Sequence, residues 1–120
     1  MLDEKLASVL SEAKTKTEIA LSETTAENQG FEKKIWFAAE AAEFSSLIFS
    51  LTYHFQDFDP PAPVVKGKAT LELLRDSSAI LREIVESYAK EPKNSYAKLR
   101  TAVHYLWKAH RNVKKTKLSR

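Results

Sequence analysis

The 120 residues include no cysteine, two glycines and four prolines. Without thiols the chain cannot form disulfides, thiolate metal sites or a cysteine nucleophile, and it suits a reducing compartment. A cytoplasmic protein is therefore expected. So few glycines and prolines disfavour a turn-rich β protein and favour a few long helices. The glycines, Gly30 and Gly67, are isolated, so no glycine-rich loop exists to cradle phosphates. Serines are plentiful, but none has the setting of a strained strand-to-helix nucleophile turn. No cofactor is expected, and the protein is not expected to be an enzyme.

A membrane span is also missing. The longest apolar stretch, "IWFAAEAAEFSSLIFSLTYHF", approaches spanning length but contains Glu40, Glu43 and several serines. It reads as a buried central helix. The opening "MLDEKLASVL" has acids where a secretory leader needs positive charge, so no leader is expected.

What is present suits one soluble bundle. Apolar residues make up 43% of the chain and charged residues 29%, enough for a core under a solvated surface. One domain over residues 1–120 is expected, all-α, as an antiparallel up-down-up-down four-helix bundle. Asp3 caps the first helix and "ENQG" stops it. Lys14, Lys16 and Thr17 make its middle polar, so it should pack least firmly. The second helix is expected from about Phe31 to Phe58. Phe37, Ala41, Phe44, Ile48, Leu51, Phe55 and Phe58 recur at alternating fours and threes, which predicts the core stripe. Trp36, Leu47, Phe49 and Tyr53 widen it.

"DFDPPAPVVKGK" then breaks the pattern, as a semi-rigid loop crossing one end of the bundle. A third helix is expected over about Ala69 to Lys90, with Leu73, Leu74, Ser77, Leu81, Ile84, Val85 and Tyr88 inward. Pro92 in "EPKNS" should stop it, and Asn94 or Ser95 should cap the fourth. Tyr96, Leu99, Val103, Leu106, His110 and Val113 form the clearest seam of all.

Charge is segregated along the chain. Residues 1–59 carry a net −6, residues 60–91 are neutral, and residues 92–120 carry +9 with no acid, which together give the net +3. At 100° per residue, Lys93, Arg100, Lys108, Arg111 and Lys115 fall within roughly 80° of one another. This stripe is the candidate anion- or partner-binding surface. It can track phosphates, attract an acidic protein or anionic lipid, or pair with the acidic first two helices. Residues 114–120 should be a frayed basic tail.

Metal signatures are incomplete. No Glu-x-x-His occurs, and His104 and His110 lie about 120° apart on one helix. His54 and His110 read as core histidines. The Glu40–Glu43 pair in "KKIWFAAEAAEF" resembles that of helical nucleotide pyrophosphohydrolases of the MazG type. In that family a Glu-x-x-Asp on the next helix completes a magnesium site. Here the next helix offers Glu72 and Asp76, four apart rather than three. The second half of the site fails, and no metal site is assigned. The expectation is a non-catalytic binding protein, an adaptor, subunit or regulatory partner acting through protein–protein contacts or self-association. The alternative is a nucleic-acid-binding module using the fourth helix, and a membrane partner is not favoured.

Overall fold

A computed structural model describes the backbone of residues 2–26 and 31–118, and side chains within 4–23 and 32–113. Four helices account for the regular structure: α1 (Leu2–Ala26), α2 (Phe31–Tyr53), α3 (Thr70–Ser87) and α4 (Pro92–Leu118). No strand occurs among the described residues, and no described helix is long and apolar enough to cross a membrane. The side chain of Asp3 and residues 27–30, expected as the ends of α1, lie outside the described residues.

α3 ends at Ser87, three residues before the expected Lys90, and two further helix boundaries differ from the expected ones for identifiable reasons. α2 stops at Tyr53, five residues before Phe58, because His54 adopts a left-handed φ of 60°. The Phe55 N–H then donates to Ser50 O at 2.9 Å, the six-to-one bond of a Schellman end. Phe55 stacks on Phe49, with centroids 6.2 Å apart, supplying the apolar contact that accompanies this motif. His54 is thus an exposed terminator and not a core residue. Pro92, expected as a stop, instead opens α4. A first helical position needs no N–H bond, and proline's fixed φ suits it. Ser95 donates its N–H to Glu91 O at 2.9 Å and is buried inside the helix, so neither Asn94 nor Ser95 is the cap.

The core draws on all four helices, with Leu6, Leu10, Ile35, Phe49, Leu74, Leu81, Ile84, Leu99 and Leu106 among its sealed residues. The α3 and α4 seams are largely as the spacing predicts, although Val85 and Tyr88 of the first and His110 and Val113 of the second are only half-buried. Near the C-terminal end of α2, Phe49 is ringed by Tyr53, Phe55, Tyr88 and Tyr96 at centroid distances of 5.2–6.2 Å. The middle of α1 is not loosely packed. Thr17 is fully buried, and its hydroxyl donates to Ala13 O at 2.8 Å, which removes the cost of burying it.

The packing face of α2 is the main departure from expectation. Phe37, Phe44 and Leu51 are 45%, 44% and 40% exposed, and Ile48 is the one member of the expected seven-residue stripe that is buried. The face turned inward is Ile35, Ala38, Ala39, Ala42, Ser45, Ser46 and Phe49. Small side chains let neighbouring backbones come close. Ser45 Oγ lies 2.8 Å from Ala41 O and 3.0 Å from Val9 O of α1, so its one proton serves the helix or the interface.

Helices touch in the pairs α1–α2, α2–α4, α4–α3 and α3–α1, leaving α2 and α3 on a diagonal. Ser45 meets Val9 and Lys34 meets Glu23. Arg100 meets Glu43 and His110 meets Glu32. Lys98 meets Glu83 and Asn112 meets Lys68. In each pair one number rises as the other falls, so α2 and α3 both run opposite to α4. The up-down-up-down order does not fit these pairings, and the connection between α2 and α3 does not cross one end. Phe58 packs on Tyr96 near the start of α4, whereas Lys68 reaches Tyr105 and Asn112. Residues 54–69 therefore run lengthwise along α4, a path of about 24 Å at 1.5 Å per helical residue. Pro60, Pro61 and Pro63 favour that extended course.

Candidate functional site

Two surfaces stand out: the basic stripe on α4 and the outward face of α2. On α4 the members of the stripe have different surroundings. Arg100 Nη1 donates to Glu43 Oε2 and to Ser46 Oγ, each at 3.0 Å, tying α4 to α2. Lys93 is exposed, with Nζ 4.7 Å from the Phe58 ring centroid. Lys108 is half-exposed and Arg111 exposed, and neither forms an ion pair among the described residues. The Lys115 side chain lies outside the described residues, although α4 carries its backbone to Leu118 as helix. The same holds for the expected frayed tail, whose backbone through Leu118 is helical.

The stripe has a member that charge counting omits. His104 sits on the same face, one turn beyond Arg100. Burial lowers its pKa below the ordinary 6.5, and the nearby positive charge of Arg100 and then Arg111 acts in the same direction. Glu43 and Asp59 oppose that shift without cancelling it.

The acidic residues singled out in the sequence are not brought together. Glu40 and Glu43 are on the exposed side of α2. Glu72 and Asp76 are on α3, where Lys68 Nζ lies 3.8 Å from one and 3.9 Å from the other. α2 and α3 lie on a diagonal of the bundle and are not backbone neighbours. No group of three or more acids and histidines able to hold a metal occurs among the described residues. His110 Nε2 lies 3.8 Å from Glu32 Oε1, across the α2–α4 interface.

The second surface is apolar. Trp36, Phe37, Phe44, Leu47 and Leu51 project from α2 with exposures between 39% and 55%. At 100° per residue they fall within roughly 100° of arc and extend about 22 Å along the helix. Given their sizes, they leave on the order of 400 Å² of apolar side chain in water, at the level that marks interaction surfaces. Trp36 and Phe37 meet edge to face, with centroids 5.4 Å apart. Beside them a shallow groove of ≈ 200 Å³ between α1 and α2 is floored by Val9 and Ala41 and walled by Phe37 and Phe44. Lys5 Nζ stands 5.6 Å from the Phe44 centroid, and Lys16 pairs with Glu12 at 2.9 Å on the groove's α1 side.

Large apolar residues at helical spacing point to a core stripe, which is why this face was missed. The contrary signal is the run of alanines and serines on the other side of α2, at positions 38, 39, 42, 45 and 46. A small-residue face is what close helix packing uses, and it leaves the larger face outside. No protein-family model, curated protein or solved structure matches the chain.

Proposed function

We propose that this is a non-catalytic cytoplasmic binding protein that works as a subunit, adaptor or regulatory partner through protein–protein contacts made by the outer face of α2. One observation carries the reading: α2 keeps its small residues inside and turns five large apolar ones to solvent. Burying that face takes apolar surface out of water, which contributes roughly 25 cal/mol per Å² before the costs of association. The mixed-sign rim of Lys5, Glu12 and Lys16 supplies orientation. The experiment is a photo-reactive amino acid placed at position 47 in the living cell, with position 86 on α3 as an exposed control. A discrete protein adduct from 47 and none from 86 is expected. No adduct from 47 would remove the reading.

A second reading has its own support. Lys108 and Arg111 present cations without ion-pair partners among the described residues, on a helix that belongs to the strongly basic end of the chain. A nucleic-acid backbone suits such a stripe. Arg100 and Lys93 are already engaged with Glu43 and Phe58, so the docking reading is preferred.

A further inference from the structure

We propose that the occupant of the α2 outer face is a second copy of this chain, docked antiparallel about a two-fold axis that passes α2 near residue 42. The inference rests on the docking reading above and specifies its partner.

Three features of the face fit a copy of itself. The first is spacing. A two-fold perpendicular to α2 at position 42 sets residue i against residue 84 − i of the second copy. That places Phe37 against Leu47 of the second copy, and Leu47 against its Phe37. Both are among the most exposed apolar residues of the helix, at 45% and 55%.

The second feature is charge. The same axis sets Glu40 against Phe44 of the second copy. Lys5 Nζ already stands 5.6 Å from the centroid of the Phe44 ring. Each Glu40 therefore meets a lysine of the opposite copy, twice over in a symmetric contact. A parallel arrangement would instead set Glu40 against Glu40, burying like charges, which costs several kcal/mol in an interface. This decides the direction.

The third is area. Two apolar faces of on the order of 400 Å² each, with the charged rims they bring along, reach the roughly 1,200 Å² at which specific interfaces begin. No backbone change is needed, because the stripe is already on the surface.

The test is light scattering of the full chain from about 1 to 100 µM, which brackets dissociation constants in the micromolar range. The expected result is a mass of twice 13.6 kDa. Leu47→Lys should give the single-chain mass with unchanged helical circular dichroism and melting, since Leu47 is 55% exposed. Glu40→Lys and Lys5→Glu should each weaken association by about tenfold or more. The two combined in one chain should restore it, because the charges then meet in reversed order. A single-chain mass at the highest concentration would overturn the proposal, as would a dimer that survives Leu47→Lys. Failure of the combined variant to recover would overturn the two-fold register. A single-chain mass together with a position-47 adduct to a different polypeptide would refute the second copy and leave the docking reading standing. A single-chain mass with no adduct would refute both.

Discussion

Phe44 and Phe49 sit five residues apart on α2 and face opposite ways: Phe44 is 44% exposed, and Phe49 is fully buried. Five residues turn a helix through 500°, which leaves the two side chains about 140° apart. One ring belongs to the core and the other to the surface that a partner would cover.

Replacing these two residues should therefore give unequal losses. Phe49→Ala removes the hub of four ring contacts and should cost about 3–5 kcal/mol in urea unfolding of the isolated chain. Phe44→Ala should cost less than about 1 kcal/mol under the same conditions, as surface changes do. Equal losses would show that the outer face of α2 is packed in the folded monomer.

A second expectation concerns the end of α2. His54 holds a left-handed φ of 60° that side chains with a Cβ adopt at a cost. His54→Gly should stabilise the protein by roughly 0.5–1 kcal/mol, because glycine takes that conformation freely at a Schellman end. Thermal melts of the two proteins decide it. A lower melting temperature for the glycine variant would mean that the histidine ring makes a contact worth more than the strain.

The helical class, the α3 and α4 seams and the basic face of α4 were legible because each depends on spacing along one element. Leu73, Leu81, Leu99 and Leu106 could be placed inside from threes and fours alone. The face of α2 could not, because both its sides carry residues that pass for core. Phe37, Phe44 and Leu51 satisfy the periodicity, while Ala38, Ala42 and Ser45 win the inside by letting α1 and α4 come closer. The pairing of helices was equally hidden. Whether a proline-rich link of residues 54–69 spans an end or runs the length of the bundle depends on Phe58 finding Tyr96 and Lys68 finding Asn112. Neither contact leaves a local trace in sequence.

His104 gives a pH test with a definite sign. Its folded-state pKa lies below 6.5, first through burial and then through Arg100 and Arg111, against Glu43 and Asp59. The unfolded chain then binds the proton more readily than the folded one, so stability falls as pH drops below the unfolded value of about 6.5 and levels off below the folded one. His104→Gln should lose less melting temperature than the wild type between about pH 7.5 and 5.5. An equal loss in both proteins would place the pH dependence on other groups.

The basic stripe separates into structural and free members, and substitution should expose the division. Arg100 bonds both Glu43 and Ser46, with its side chain 29% exposed against 51% for that of Glu43. A pair this open to solvent contributes little, so Arg100→Gln should cost no more than about 1 kcal/mol, diminishing with added salt. Lys108→Gln and Arg111→Gln should stay within about 0.5 kcal/mol, since neither has an ion-pair partner to lose among the described residues. The same two variants report on nucleic acid. If α4 follows a phosphate backbone, each should flatten the log–log salt dependence of duplex DNA binding by about 0.9. If the basic end serves only to hold the bundle in water, the slope should not respond to either. The second outcome is expected, because the face of α2 offers the stronger driving force and half of the stripe's described cations are already occupied.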